Sequence, residues 1–362
     1  MGKNNYQNQM EHPGKILALM LKKINMSQKE LAIRTGMTEK HISTVINGSR
    51  DISLDFSKKL EYVFNDVKSG YFYNLQLEYD ELKQRQEEEN GITENEKNIL
   101  KQLKEPIDYI IERGQSFISA TMTDVEKIIG IRKFLKVSNL ELIPLASNQT
   151  AFRKNKNTTV NQYVLSMWIQ ICEYYAGRIE CKSNLNIDLL NNKLSSIRNL
   201  MNVSINEARK TLQKILLDCG IIFDIVQNFK GAPVQGFIKN ENNNKILMCI
   251  TIRGKRADSF WFTVFHEIGH IINGDVENIK VDTYTDINEK EIKANEFASN
   301  LVMNKNDYQM FVNAGDYTLN SIKRFSKQQN IPHYMTIGRM QKDGILEYNQ
   351  YYNEIPQYIW SK

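Results

Sequence analysis

Two histidines four residues apart are the side chains in this chain best suited to chemistry. His266 and His270 enclose Glu267, Ile268 and Gly269 in an HExxH pattern. On a helix, residues at this spacing lie on one face, so both imidazoles can bind one zinc ion. Zinc lowers the pKa of a bound water toward about 7, and Glu267 can then take the proton as a general base. The pattern therefore predicts metal-assisted hydrolysis of a peptide bond.

A catalytic zinc ion needs a third protein ligand and an open position. The apolar sequence around the histidines, FWFTVFHEIGHII, predicts a buried helix, and NEKEIKANEFASNLVM predicts the next one. Glu291, Asn295 and Ala298 share a stripe on this second helix, where Ala294 and Ala298 would allow close approach. We expect Glu291 to be the third ligand and Asn295 to orient Glu291 or His266.

Other assignments of the same residues stay open. Glu289 and Glu296 fit less well as a third ligand, because Glu289 lies near the predicted helix start and Glu296 lies on another face. The histidines could also be two buried side chains satisfied by hydrogen bonds, beside an ordinary acidic helix.

A second pattern, MSQKELAIRTGMTEKHISTVINGSRDIS, lies near the start of the chain. Ser27 is a good N-cap for a helix over residues 28–35, and Gly36 suits the tight turn after it. Thr38 caps a second short helix that runs to about Ile46. Two short helices joined by a glycine turn predict a helix-turn-helix, whose second helix enters the major groove of DNA.

The predicted DNA contacts fall into two groups by position. Those near base edges are Thr38, Glu39, Lys40, His41, Ser43 and Thr44, and those near phosphates are Gln28, Asn47, Ser49 and Arg50. The first 70 residues contain eleven Lys or Arg and seven Asp or Glu, a local charge of +4. The alternative is a small helical bundle without DNA, in which His41 is a surface or packing histidine.

Residues 11–78 resemble the DNA-binding domain of the HigA-type antitoxins, within the xenobiotic-response-element helix-turn-helix family. The opening HPG, the SQKELA helix, the TEKHIS helix and the NGSRDIS exit all match. The resemblance implies a repressor that binds double-stranded operator DNA as a homodimer.

From about residue 218 onward, the chain resembles the ImmA/IrrE metallopeptidases. GAPVQGF, LMCITIR, DSFWFTVFHEIGHIING, EIKANEFASNLVM and NIPHYMTIGRMQKDG follow in that family's order. The resemblance implies a gluzincin-like zinc site of two His and one Glu, and a helix-turn-helix repressor as substrate. Carried over to this chain, the ligands are His266, His270 and Glu291, with Glu267 as catalytic base. Gln235 and His333 depart from the family pattern, where His and Gly are common.

Composition limits the remaining possibilities. The chain has 362 residues, a length that suggests two or three domains. Hydrophobic residues make up 41% of it, which is typical of a folded protein. Its 47 basic and 42 acidic residues give a net charge of +5. Four separated cysteines indicate reduced thiols rather than a disulfide framework. We expect no membrane span, because the sequence has no run of 18 apolar residues, and we expect a cytoplasmic location.

The patterns together predict a mostly helical α+β chain in three parts. Residues 1–78 form a helix-turn-helix bundle, residues 79–205 a helical connector, sensor or dimerisation region, and residues 206–362 a zinc-peptidase domain. Short β-rich segments within 221–252 predict a small antiparallel sheet. The expected function is a transcriptional regulator whose Zn²⁺-dependent endopeptidase domain, active or latent, cuts a protein partner. The alternative is a non-proteolytic antitoxin that uses the zinc fold as a toxin-binding scaffold or sensor.

Overall fold

The chain divides into two compact units, Met1–Thr93 and Glu94–Lys362. The computed structural model describes residues 11–147, 160–241, 244–276, 279–282 and 289–358. One long helix, Tyr71–Asn90, continues through residue 79, where composition placed a boundary. Residues 94–205 pack in the same unit as residues 206–362, so the predicted connector and peptidase region share one unit.

Five helices form the described part of the N-terminal unit. They are α1 (Pro13–Lys23), α2 (Gln28–Thr35), α3 (Glu39–Ile46), α4 (Leu54–Val63) and α5 (Tyr71–Asn90). Leu17, Leu31, Ile42, Val45 and Phe56 are fully buried and form the centre of a single core. The predicted bounds of α2 and α3 are confirmed.

Local hydrogen bonds explain why α2 and α3 begin and end where they do. Ser27 and Thr38 each accept a backbone N–H three residues on, at 3.1 Å. Gly36 has φ +66°, a left-handed conformation that favours glycine, and it ends α2. The side chain of Glu30 accepts from Arg34 instead of completing a capping box at Ser27.

The HPG sequence sets the approach of α1 to α3. His12 Nδ1 accepts the N–H of Gly14 at 3.0 Å, and Pro13 occupies the first helical position, where no N–H is needed. A Cβ on Gly14 would lie 1.8 Å from the carbonyl oxygen of Val45. Only glycine therefore allows the two backbones to pack this closely.

The second unit contains the sheet and most of the helices. In order, its described elements are α6 (Glu94–Gln102), α7 (Lys104–Glu112), α8 (Asp124–Leu135), α9 (Ile143–Ser147), α10 (Gln162–Ala176), α11 (Ile187–Asn199), α12 (Ile205–Asp218), β1 (Ile221–Ile225), β2 (Gly236–Glu241), β3 (Lys245–Ile250), α13 (Ala257–Ile272), β4 (Ile279–Asp282), α14 (Glu289–Val302), α15 (Lys305–Ala314), α16 (Leu319–Gln328) and α17 (His333–Lys342). Short 3₁₀ turns cover Leu140–Leu142, Leu200–Asn202 and Tyr352–Glu354. Among the described residues, none of the helices has the length and apolar character needed to cross a bilayer.

The α+β fold class is confirmed, but the sheet is mixed rather than wholly antiparallel. Its order is β1-β3-β2-β4. Strands β2 and β3 pair antiparallel, β2 and β4 pair antiparallel, and β1 runs parallel to β3. Strand β2 follows β1 in the chain but does not pair with it. Strand β3 lies between them, parallel to β1 and antiparallel to β2. The sequence did not predict β4.

The sheet lies between α10 and α13, which explains its apolar strands. Ile238 and Met248 belong to the core that includes α13. On the opposite face, the ring of Phe237 lies 6.0 Å from Trp168 of α10. Because both faces are covered, β3 reads as a continuous apolar run rather than an alternating one. Trp168 itself is completely buried.

Candidate metal centre and nucleic-acid interface

The predicted zinc-binding residues come together between α13 and α14. His266, Glu267 and His270 project from α13, and Glu291 projects from the first turn of α14. All four are buried, with exposures of 4%, 1%, 0% and 6% in that order. Buried carboxylates and imidazoles need hydrogen-bond, ionic or metal partners, so these four side chains are not simply hydrated surface groups.

The donor atoms of three side chains face one another. His266 Nε2 lies 3.0 Å from His270 Nε2, and Glu291 Oε2 lies 3.1 Å from the first and 3.5 Å from the second. Two ligands about 2.0–2.1 Å from a tetrahedral zinc ion stand about 3.3 Å apart. The spacing of the three donors therefore fits one zinc ion. Glu289, the alternative ligand, is instead exposed and pairs with Lys293.

Each imidazole is held from behind by an oxygen. His266 Nδ1 lies 3.1 Å from Asn295 Oδ1, and His270 Nδ1 lies 3.1 Å from Asp275 Oδ2. An N–H on each Nδ1 can donate to these oxygens, which leaves the Nε2 lone pairs directed at Glu291. Three lone pairs that face one another in a buried site repel unless a cation lies between them. The donor set thus suits a metal ion chemically as well as geometrically.

A glycine on β2 makes room for the carboxylate of Glu267. A Cβ on Gly236 would lie 1.7 Å from Glu267 Oε1. Gly236 and Ile238 share the strand face that covers α13. The backbone of β2 thus packs directly on the carboxylate of Glu267, the residue that follows His266 on α13.

Small residues bring the two metal-binding helices together. A Cβ on Gly269 would lie 3.3 Å from Ala294 Cα and 3.0 Å from the ring of Phe297. Ala294 and Ala298 are fully buried. This close approach lets the Glu291 side chain on α14 reach both imidazoles of α13.

The predicted DNA contacts lie at the start of α2, on α3 and in the turn after α3. Seven of them are exposed, namely Gln28, Thr38, Glu39, Lys40, Asn47, Ser49 and Arg50, and three are half-buried, namely His41, Ser43 and Thr44. Lys40 and Glu39 lie in the first turn of α3, the part of a recognition helix that meets base edges. Thr44 Oγ1 donates to the carbonyl of His41, a bond within the helix.

The His41 side chain contacts the guanidinium of Arg50. Its ring packs 4.9 Å from the ring of Phe56, and its Nδ1 lies 3.0 Å from Arg50 Nη1. Burial, followed by the nearby Arg50 and Lys59 charges, lowers the pKa of His41 below its ordinary value. A neutral ring can accept from Arg50, so His41 holds Arg50 in the turn that follows α3.

Comparison with known proteins identifies both regions. A helix-turn-helix family model matches residues 17–72, and the M78 peptidase family model, described as an IrrE N-terminal-like domain, matches residues 238–333. The search of curated proteins finds no match to this chain. The chain joins an XRE-type helix-turn-helix domain to an IrrE-like domain. All three candidate metal ligands lie in the IrrE-like domain, and all the predicted DNA contacts lie in the helix-turn-helix domain.

Two residues at the IrrE-like site were missed by the sequence analysis. Asp275 follows the glycine turn after α13 and reaches back to His270. Its position five residues after the second histidine, at a helix end, is a signal that could have been used. Gly236 lies outside the matched region, and its proximity to Glu267 results from strand packing that the sequence pattern does not show.

Proposed function

We propose that this chain is a DNA-binding transcriptional regulator whose IrrE-like domain is a zinc-dependent endopeptidase. The observation that carries the proposal is the buried set of His266, His270 and Glu291, whose donor atoms all lie within 4.8 Å of one another. Glu267 adjoins this set. A buried ligand set with a carboxylate beside it is what peptide hydrolysis requires of a protein.

The side chains divide the work of hydrolysis. A zinc ion held by the three ligands would polarise the peptide carbonyl and lower the pKa of water. Glu267 takes a proton from the attacking water as its oxygen adds to the carbonyl carbon. When the C–N bond breaks, Glu267 gives that proton to the leaving amine. Asn295 and Asp275 keep the imidazoles in the orientation and tautomer that this arrangement needs.

The helix-turn-helix domain supplies the regulatory half of the proposal. Exposed Lys40 lies in the first turn of α3, where it can meet base edges, and exposed Arg50 lies in the turn after α3, where it can meet a phosphate. We propose double-stranded operator DNA as the nucleic-acid partner, bound by a homodimer. The protein partner is the substrate of the peptidase, either a second repressor or a cognate toxin.

Metal binding and cleavage can be tested separately. Purified Glu291→Gln protein should contain much less zinc than the wild type, whereas the matched variant Glu296→Gln on the same helix should retain it. Glu267→Gln should retain zinc but cleave a proteome-derived peptide library about 10²–10⁴-fold more slowly than the wild type, as new N-termini detected by mass spectrometry.

The outcomes separate the two functions considered. Equal cleavage by wild type and Glu267→Gln would contradict the proposed role of Glu267. Stoichiometric zinc without any cleavage, together with toxin neutralisation that persists in Glu267→Gln, would favour the scaffold function instead.

A further inference from the structure

The turn after α3 is held from behind by the long helix α5. This turn, residues 47–53, carries three of the predicted phosphate contacts, Asn47, Ser49 and Arg50. Gln76 of α5 packs behind it and is only 3% exposed, although glutamine is ordinarily a surface residue. An amide buried this completely needs hydrogen-bond partners, and the partners of Gln76 lie in the turn and on α5 itself.

The first partner of Gln76 is a backbone group at the end of the turn. Ile52 is 1% exposed, and its N–H donates to Oε1 of Gln76 at 3.0 Å. Ile52 lies between α3 and α4, outside the hydrogen-bond pattern of either helix. A buried N–H needs an acceptor, and Gln76 supplies it from 24 residues further along the chain.

The other end of the same amide meets two carboxylates. Nε2 of Gln76 donates to Oδ1 of Asp80 at 2.9 Å and to Oδ1 of Asp51 at 3.3 Å. The N–H of Ile52 requires an oxygen at one end of the amide, and the carboxylates require a donor at the other. An ionised glutamate of the same length would satisfy only the first requirement. The position therefore calls for glutamine.

His12 holds the same turn from the side of α1. A Cβ on Gly48 would lie 3.3 Å from Cγ of His12, and Nε2 of His12 lies 3.6 Å from Oδ1 of Asp51. The ring also packs edge-on against Tyr79 of α5, with centroids 5.0 Å apart. Tyr79 lies three residues after Gln76, so one face of α5 supports both the turn and the histidine.

These contacts determine where Arg50 stands. Its backbone N–H donates to the carbonyl of Thr44 at 3.1 Å, and its guanidinium lies 3.0 Å from Nδ1 of His41. Asp51 follows Arg50 directly, and its carboxylate is drawn toward α1 and α5 by the contacts described above. An anion beside Arg50 would oppose a phosphate, so holding the carboxylate back favours DNA binding.

We propose that Gln76 is a positioning residue for DNA binding, which fixes the turn after α3 so that Arg50 meets a phosphate. The inference rests on the proposed regulator function, since it gives that function a residue outside the predicted contacts. Gln76 lies beyond residue 72, where the region matched by the helix-turn-helix family model ends. The support for the turn thus comes from a part of α5 that the matched region does not include.

An isosteric change at Gln76 tests this role in the full-length chain. Gln76→Glu keeps an oxygen for the N–H of Ile52 but sets a third carboxylate against Asp51 and Asp80, so the turn should shift. On DNA that the wild type selects from a random library, we expect about tenfold weaker binding and a salt dependence reduced by about one phosphate contact. The matched variant Gln84→Glu adds the same charge at an exposed position of α5 and should bind like the wild type.

A second substitution should rescue the first. In the double variant Gln76→Glu with Asp80→Asn, the amide introduced at position 80 can donate to the carboxylate introduced at position 76, and the N–H of Ile52 keeps its acceptor. DNA affinity and salt dependence should return toward wild-type values. Asp80→Asn alone leaves Gln76 an acceptor and should change both little, so the rescue measures the coupling between the two positions.

Hydrogen exchange of single amides separates positioning from a general loss of stability. In Gln76→Leu, which removes the acceptor, the N–H of Ile52 should exchange faster than in the wild type by NMR. The N–H of Ile42, which donates to the carbonyl of Thr38 at 3.1 Å within α3, should keep its protection. Equal loss of protection at both amides would overturn the inference.

The DNA measurements distinguish this inference from the proposed function. Sequence-selective binding that is unchanged in Gln76→Glu, or that the double variant does not restore, would overturn the positioning role and leave the regulator function standing. A wild-type protein that selects no DNA would contradict the regulator function itself, and the inference with it.

Discussion

At the residue scale, the candidate metal centre depends on the two oxygens behind its imidazoles. Asp275 Oδ2 and Asn295 Oδ1 each lie 3.1 Å from a histidine Nδ1. Such partners fix the ring orientation and raise the basicity of the ligating nitrogen. The carboxylate adds a negative charge, so we expect Asp275 to contribute more to zinc affinity than the neutral amide of Asn295.

Asp275→Ala tests this contribution. Removing the carboxylate should weaken zinc binding by about 10–100-fold, because His270 loses the acceptor that orients it. Competition with a chromophoric chelator measures the affinity. Asp188→Ala, an exposed aspartate in the first turn of α11, is the matched control and should leave zinc affinity unchanged. Equal affinities in both variants would show that Asp275 does not support the ligand.

His41 provides a prediction about pH in the helix-turn-helix domain. Burial is the main cause that lowers its pKa below 6.5, and Arg50 and Lys59 lower it further. Its protonation therefore favours the unfolded chain, and the stability that it contributes falls as pH drops below 6.5. NMR titration of isotope-labelled histidine should give a midpoint below 6.5.

Two variants separate the causes of this shift. Arg50→Gln should raise the midpoint of His41, but not to 6.5, because burial remains. Arg34→Gln, which removes a cation paired with Glu30 in the same unit, should leave the midpoint unchanged. A midpoint at or above 6.5 in the wild type would contradict the assigned environment.

At the scale of elements, β2 positions the carboxylate that the HExxH helix presents. Gly236→Ala would place a methyl group 1.7 Å from the present position of Glu267 Oε1, which is too close for both to remain. Because the obstructing atom is the end of a side chain, the fold should survive while Glu267 moves. We expect normal zinc content and about 10²-fold slower peptide cleavage, since a misplaced base loses its catalytic geometry.

The control for this variant is Gly177→Ala, after α10. Gly177 has φ −62°, and a Cβ there would lie 3.2 Å from the carbonyl oxygen of Glu173 and 3.9 Å from that of Tyr174, so an alanine fits with a small shift. It should retain both zinc and activity. A Gly236→Ala protein with full activity would show that the contact between β2 and Glu267 has no catalytic consequence.

Local signals predicted some elements, and long-range pairing decided the others. The ends of α2 and α3 follow from Ser27, Gly36 and Thr38, whose hydrogen bonds and dihedral angles involve nearby residues. The parallel pairing of β1 with β3 and the addition of β4 to β2 across α13 depend on the path of the chain. Strand composition does not encode that path.

The candidate site also combines residues that the local sequence predicted with residues that only long-range packing brings in. The spacing of His266 and His270 lies within one helix, and the helical stripe on α14 directed attention to Glu291. The structure brings all three together. Asp275 lies beyond the end of α13, and Gly236 lies on a strand 31 residues before Glu267. Their contacts arise only when the sheet and the turn after α13 are folded, so residue types and spacing did not reveal them.

At the scale of the whole molecule, the two proposed activities lie in separate compact units. The predicted DNA contacts belong to Met1–Thr93, and the candidate metal ligands belong to Glu94–Lys362. Each unit has a hydrophobic core of its own. Substitutions at distant sites without shared partners have effects that add. We therefore expect DNA binding and metal binding to respond independently to single substitutions.

Lys40→Ala and Glu267→Gln test this independence in the full-length chain. With DNA selected from a random library by the wild type, Lys40→Ala should weaken binding by about 1–3 kcal/mol and relax the sequence preference at one base pair, because a base-edge contact is lost. Its zinc content should match the wild type, and Glu267→Gln should bind the selected DNA normally. Lys83→Ala, an exposed lysine of α5 outside the predicted contacts, is the matched control and should leave DNA affinity unchanged. Altered zinc content in Lys40→Ala, or altered DNA affinity in Glu267→Gln, would show instead that the two units are energetically coupled, as a protease-controlled repressor could require.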